Sequence, residues 1–364
     1  MEVLGLKISY KEKRARVTIV FLLILLGGFI LAWGNNKLKE LGKKDSAVRA
    51  TRVELSKVKR IDGIYPLGWL DEENIIVKKE NKSKGIVEKD EGLKGYPTNI
   101  YKYNLKTGEE NLLIESDQDI EYAVVSPNRK YIFYVEASEL TGTGYIYNLA
   151  NNKRVQVTEE QEIPIGIGRW ADENSVIFFS YTKGGVFTAS LTGHRIEIVP
   201  KAQVFMRDPI RVVDKVYYVS DQYKLYRYDT ATKERKLLLD DIAEFIPSPK
   251  GLTFAHVALA RKSIDIRDEK GEKKLHIYDG GGVGGFSWSP CGNKLAYLVS
   301  SSSQKGDTLF IAHISSGKSA KLAENLPQSF PYIFWSPSGK KILVPAYEKN
   351  DDKHKFIALI IESE

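Results

Sequence analysis

Two stretches of this chain are built to one plan: Trp288-Ser-Pro-Cys-Gly-Asn-Lys-Leu295-Ala-Tyr-Leu and Trp335-Ser-Pro-Ser-Gly-Lys-Lys-Ile342-Leu-Val. Each closes a strand on an aromatic residue, turns through Ser-Pro-x-Gly and opens an apolar strand seven residues after the tryptophan. In such a turn Pro presets φ and Gly accepts a positive φ. Weaker copies with the same offset lie upstream. Val125-Ser126-Pro127 leads to Ile132-Phe-Tyr-Val, Trp170-Ala-Asp to Ile177-Phe-Phe, and Trp69-Leu-Asp to Ile76-Val. Two degenerate copies fill the gap: Val212-Val-Asp-Lys before Val216-Tyr-Tyr-Val, and Pro247-Ser-Pro-Lys-Gly before Leu252-Thr-Phe-Ala. The anchors fall near positions 69, 125, 170, 210, 247, 288 and 335. That spacing is the period of propeller blades, roughly 40–50 residues.

A second repeat runs in step with the first. After each copy comes an alternating strand: Ile100-Tyr-Lys-Tyr-Asn, Tyr145-Ile-Tyr-Asn-Leu, Val186-Phe-Thr-Ala-Ser, Leu225-Tyr-Arg-Tyr-Asp, Ile264-Asp-Ile-Arg-Asp, Leu309-Phe-Ile-Ala-His and Phe356-Ile-Ala-Leu-Ile. Period-2 alternation bounded by polar turns marks half-buried hairpin strands. Seven anchors and seven hairpin strands predict an all-β, seven-bladed β-propeller over residues 51–364, with six blades as the alternative because two copies are degenerate. The last repeat stops after its third strand, while Thr51-Arg-Val-Glu-Leu-Ser-Lys-Val58 alternates like a strand ahead of the first. Unpaired edges are a liability that radial closure limits. The N-terminal strand is therefore expected to complete the last blade, against the alternative that 51–58 only continues a linker.

The Trp/Val-Ser-Pro-x-Gly motifs resemble the WD40-like repeats of the TolB-type β-propellers, also found in the propeller domains of prolyl-oligopeptidase-like peptidases. The resemblance covers about residues 60–364 and implies the fold rather than a function. The family pattern has Asp after Ser-Pro, where this chain has Asn128, Cys291 and Ser338. Residues 34–60 are too few for the N-terminal α/β domain of TolB, and no hydrolase domain is expected after the last repeat.

The net charge of +7 is concentrated at one end. Residues 1–60 hold 14 Lys/Arg against 5 Asp/Glu, leaving 40 against 42 for residues 61–364. The excess flanks VTIVFLLILLGGFILAW, seventeen uncharged residues from Val17 to Trp33. As a helix these span about 25 Å, enough to cross a hydrocarbon core. Trp33 suits an interface, and Lys11, Lys13, Arg14 and Arg16 precede the segment. The reading is a short cytoplasmic tail (1–16), a transmembrane signal-anchor helix (17–33) and a basic linker (34–50), ahead of an extracytoplasmic propeller. A cleaved secretory signal ending near Ala32-Trp33-Gly34 is the alternative. The positive-inside count ties at five and five, so the orientation rests on the ease of keeping a short tail inside. Charge at a membrane surface, rather than on the domain, argues against a nucleic-acid partner.

Residues that would carry chemistry are sparse. One cysteine, Cys291, excludes an intramolecular disulfide framework and a Cys-based zinc cluster. The five histidines (His194, His256, His276, His313, His354) are assigned to five different blades, and no H-E-x-x-H or G-x-S-x-G occurs. Asn350-Asp351-Asp352-Lys353-His354 lacks an EF-hand pattern and reads as a solvated loop. No cofactor or metal is expected. Asp279-Gly-Gly-Gly-Val-Gly-Gly-Phe286 contains a literal G-x-G-x-x-G, but a strand rather than a helix is predicted after it. The dinucleotide reading needs that helix, so the run reads as a connection between blades whose amides could at most cradle an anion.

The connections that lead into each first strand converge on the central funnel. They hold Tyr65, Glu121, Tyr122, Arg169, Arg207, Asp208, Glu244 and Tyr332. Aromatic and Arg side chains are the types that make binding hot spots; the alternative is that they pack structurally between blades. Lys78 to Asn99 is a charged insertion in the first blade, a candidate lid or contact arm. The expected function is a membrane-anchored binding or scaffold module without chemistry, presenting the funnel and this loop to an envelope protein or glycan. The alternatives are a lyase or hydrolase in the funnel, built on carboxylates such as Glu121, Asp208 and Glu244, or a ligand sensor working through a membrane partner.

Overall fold

The computed structural model describes residues 58–88, 94–138, 140–201, 205–251, 253–300, 306–350 and 353–363, and every regular element among them is a β-strand. The tail, apolar segment and linker expected over residues 1–50, and residues 51–57, lie outside the described residues. Seven antiparallel sheets succeed one another along the chain, the first six with their strands in sequence order from the channel outward and the seventh taking its outer strand from the N-terminal side. The innermost strands of blades 1 to 7 are Tyr65–Trp69, Asp119–Val125, Arg169–Trp170, Met206–Val212, Ile242–Pro247, Val283–Trp288 and Phe334–Trp335. The blade count is seven, and the six-bladed alternative falls away.

The second strand of each blade explains why the repeat has the composition it has. These strands carry unbroken apolar runs, such as Ile75-Ile76-Val77, Phe133-Tyr134-Val135 and Ile342-Leu343-Val344, in which every residue is fully buried. Successive side chains of a strand point to opposite faces. Ile76 therefore packs against blade 2 with Ile132 and Tyr134, while Ile75 and Val77 pack against blade 7 with Leu343 and Ile360. Seven apolar clusters among the described residues fill the seven gaps between neighbouring blades.

The repeated tryptophans add one directional bond to this packing. Each indole N–H donates to a main-chain carbonyl on the inner strand of the preceding blade: Trp69 to Phe334 (2.9 Å), Trp170 to Val124, Trp288 to Ile246 and Trp335 to Ser287 (3.0 Å each). Blade 2 has Val125 there, and the Arg129 guanidinium instead reaches the Trp69 carbonyl at 3.2 Å. The turn after each anchor satisfies its own polar groups. The Ser289, Ser336 and Ser126 hydroxyls accept from the amides of Lys294, Lys341 and Tyr131. Asp71 and Asp172 take the same part in blades 1 and 3.

The ring closes as expected in kind, with a different segment. The outer strand of blade 7 is Val58–Asp62, paired antiparallel with Lys353–Glu362 from Val58↔Ile361 to Asp62↔Ile357. The expected strand at 51–58 overlaps it only at Val58, the rest lying outside the described residues. Lys59, Arg60 and Asp62 keep this strand polar on its exposed side. The Arg60 guanidinium grips both Glu348 oxygens, at 2.6 and 2.7 Å, and Lys355 reaches Asp62 at 3.2 Å. The charged stretch 78–99 is also narrower than expected as an insertion. Asn74–Glu80 and Thr98–Asn104 are paired strands of blade 1, and a short ladder joins Val87–Glu88 to Lys94–Gly95 beyond them.

Strand directions sort the connections into two faces. Every inner strand starts, and every second strand ends, at the same face, as Tyr65↔Lys78 shows for blade 1. Val58 lies at the opposite face, because Asp62 is the end of its strand that leads to Tyr65. Replacing Trp69 by Phe removes the bond across the closure, and we expect unfolding free energy to fall by about 1–3 kcal/mol. Chemical denaturation reads this directly, and an unchanged midpoint would show that the clasp is dispensable.

Candidate functional site: the channel mouth

Near their starts the inner strands leave regular pairing. The ladder to the second strand slips at Leu67, Glu121, Asp208-Pro209, Ala243 and Gly284 in blades 1, 2, 4, 5 and 6. In blade 7 the inner strand is split between Gln328–Ser329 and Phe334–Trp335. A bulge releases one residue from the ladder and re-aims its side chain. Glu121 and Asp208 are such residues, and Asp208 sits at φ 50, a left-handed conformation that Asp tolerates better than most.

All eight expected site residues gather at this mouth. Seven lie within the inner strands rather than in the connections before them, and only Tyr332 precedes its strand. Two of them, Glu121 and Asp208, are released from the ladder by the bulges. Arg169 of blade 3 meets Asp208 of blade 4 at 3.4 Å. The Tyr122 hydroxyl feels Arg169, Tyr332 and Asp208, that of Tyr332 feels Asp208 and Glu244, and that of Tyr65 feels Tyr332 and Glu121. Burial pushes Tyr122 up to about 12 and raises Tyr65 and Tyr332 as well. The sites are walled by protein yet open to the channel: Tyr332 is 51 % exposed and the Glu244 side chain 27 %.

Four further side chains complete the mouth. Lys78 pairs with Glu121 at 2.6 Å and lies 5.2 Å over the Tyr65 ring. Arg261 faces Glu244 at 3.9 Å. Phe330 and Phe356 pack edge-on against Tyr65 at 5.1 and 5.2 Å. Lys78 lies near the end of a second strand, Arg261 follows one and Phe356 lies near the start of a third strand, so a search of connections into first strands passes over them. The signal that finds them is topological, since second strands end at the same face.

Glu244 is the titratable group most altered by its setting. Burial pushes its carboxyl up to about 7, with Arg261 pulling it down and Asp208 pushing it up. His256 moves the other way, lowered to about 4 by burial and then by Arg267, whose Nε donates to its Nε2 at 2.8 Å. His256 and His276 share blade 5, on either side of Asp265, so the expectation of five histidines in five blades is corrected. Among the described residues no three His, Cys, Asp or Glu side chains are grouped as a metal would need. Cys291 is exposed in its turn and its thiol donates to Asn293 at 2.6 Å. The glycine run 280–285 opens the strand Val283–Trp288, not a helix. A methyl on Gly282 would strike the Ser300 carbonyl, and one on Gly285 would lie 2.5 Å from that of Pro331. These glycines serve close backbone approach.

No family profile and no curated protein matches the sequence. Solved structures do match in shape. An oligogalacturonate lyase in complex with manganese aligns at TM-score 0.58 and 13 % identity over 85 % of this chain and 99 % of that one. The Cps50 (Swd1) β-propeller domain from Myceliophteria thermophila aligns at 0.59 and 12 % over 84 % and 100 %. TolB from Acinetobacter baumannii gives 0.48 and 15 % over 80 % and 64 %. The likeness to the lyase and to the Cps50 domain, at such identities, supports the fold alone, the seven sheets make it a seven-bladed β-propeller, and function is left to the site.

A carboxyl held at about 7 keeps a proton that the unfolded chain loses from about pH 4.5 upward. Its contribution to stability is complete below that range and is lost as pH rises through 7. Glu244→Gln should remove about 1–3 kcal/mol of pH dependence between these limits. Parallel stability curves for the two proteins would overturn the assignment.

Proposed function

We propose that this chain is a binding or scaffold module that holds the channel mouth and the blade 1 insertion toward a protein or glycan partner in the cell envelope, tethered through residues 17–33. The observation that carries the reading is the convergence of three tyrosines with Lys78, Arg169, Arg207 and Arg261 on one opening, contributed by six of the seven blades. Rigid strands bearing aromatic and Arg side chains are what recognition surfaces are made of. Val58 lies at the face opposite the mouth.

A second reading, a lyase or hydrolase, draws on one observation. Glu244 at about 7 is poised between acid and base near neutrality, the setting in which a carboxyl exchanges protons with substrate. Incubation with oligogalacturonate separates the readings, since product formed by the parent protein and abolished by Glu244→Gln would establish catalysis.

The binding reading is tested by photocrosslinking from Tyr332 in intact membranes, with the full chain and with a variant in which 82–96 is replaced by a short Gly-Ser link. We expect discrete crosslinked partners from the parent and fewer or none from the shortened variant. A background identical to that of an unrelated anchored protein would remove the scaffold role.

A further inference from the structure

Five charged side chains from blades 3, 4 and 5 crowd one sector of the mouth: Arg169, Arg207, Asp208, Glu244 and Arg261. The cations outnumber the acids, and the pairs they form are loose. Arg169 and Asp208 are 3.4 Å apart and Arg261 and Glu244 3.9 Å, against about 2.7–2.9 Å for a well-made charged hydrogen bond. Arg207 has no ion pair among the described residues, and its guanidinium lies 4.8 Å over the Tyr223 ring. Its Nε and Nη2 are enclosed without a hydrogen-bond partner, as is Nε of Arg169.

Nε and Nη2 are the two donors along one edge of a guanidinium, the edge that grips both oxygens of a carboxylate. Enclosed donors in folded proteins are almost always paired, and an exception calls for a reason. Here the reason lies in the mouth itself. We propose that this sector is the seat of a carboxylate-bearing ligand, gripped by the Arg207 edge as that side chain turns off Tyr223, and that Glu244 takes up a proton as the ligand binds. The proposal rests on the binding reading above and names the chemistry it recognises.

The coupling follows from what surrounds Glu244: Arg261 from its own blade, Arg207 and Asp208 from blade 4, Arg169 from blade 3, and Tyr332 ahead of the blade 7 inner strand. Its carboxyl already sits at about 7. A second carboxylate in the sector adds a like charge and draws off the arginines, and both effects favour the protonated form. Affinity then falls as pH rises through 7, approaching about tenfold per pH unit well above it.

Titration calorimetry on the full chain in detergent tests this, with galacturonate and N-acetylglycine as carboxylate probes and inorganic phosphate and glucose as controls. Runs from about pH 6 to about pH 8, in buffers of differing protonation enthalpy, count the protons. We expect one carboxylate probe to bind more tightly than both controls, with uptake of up to about one proton. The better probe tells a sugar acid from a peptide terminus. Arg207→Gln should weaken binding by about tenfold or more, and Arg207→Lys, which keeps the charge and loses the fork, by an intermediate factor. Glu244→Gln should bind with no proton uptake and a flat pH profile. Unchanged melting temperatures establish that the variants are folded. Absence of carboxylate binding to folded parent protein, or equal binding by Arg207→Gln, would overturn the seat; binding without proton uptake would overturn the coupling. Loss of the seat alongside intact partner crosslinking would remove this ligand class and leave the scaffold reading standing.

Discussion

A sheet that is apolar on both faces cannot stand alone in water, and the blades of this chain are such sheets. Ile75 and Ile76, adjacent in one strand, are buried against different neighbours. No blade has a face to spare, so the stable unit is a ring. An open ring would expose the apolar sides of blades 7 and 1, which makes closure a requirement of the packing. The strand Val58–Asp62 supplies it, with the Trp69 indole bonded to Phe334, Glu72 accepting from the Ser338 amide and the Arg60 fork on Glu348. Most of the free energy of closure comes from the buried faces. The directional bonds fix how far each blade is turned against the next.

This constraint is why so much of the fold could be read from the chain. A strand buried on both faces must be a continuous apolar run, and a tight turn must carry residues that suit it, so the two features recur at the blade period. The two degenerate copies count as blades through the alternating strands that follow them, and their pairing bears this out. Blade 4 turns through Val213, at φ 54 and 79 % exposed, with no Ser-Pro to announce it. The closing strand is hard to place from sequence because its pattern is weak in a physical sense. Val58–Asp62 is an edge strand, half in solvent, and carries Lys59 and Arg60 where an interior strand has isoleucines.

The mouth is made possible by the same geometry that makes the core. Inner strands crowd toward the axis and slip out of register where they begin. There the side chains reach past the gaps between blades, and opposite charges from neighbouring strands offset part of the cost of enclosing one another. Charge can then accumulate from several blades at once, as it does from Arg169, Asp208 and Glu244. The candidate residues were legible because they precede anchors that the repeat locates. Their partners Lys78 and Arg261 were not, since nothing local in the sequence says that the end of a second strand meets the start of a first.

An internal repeat also separates what serves the ring from what is free to serve something else. At the anchor position Trp recurs in blades 1, 3, 6 and 7, and each of these makes the same bond. Three and four residues earlier no type recurs in that way. Counting back from the anchors, the third position is held in turn by Pro66, Tyr122, Ile167, Pro209, Glu244, Gly285 and Tyr332, and the fourth by Tyr65, Glu121, Gly166, Asp208, Ala243, Gly284 and Pro331. Packing selects for sameness, because every gap between blades has nearly one shape. A position that varies around the ring while keeping its height is under no such demand, and a ligand lying across the axis meets a different side chain from each blade. Variation within the repeat therefore marks the surface on which this propeller differs from a generic one, and it coincides with the mouth.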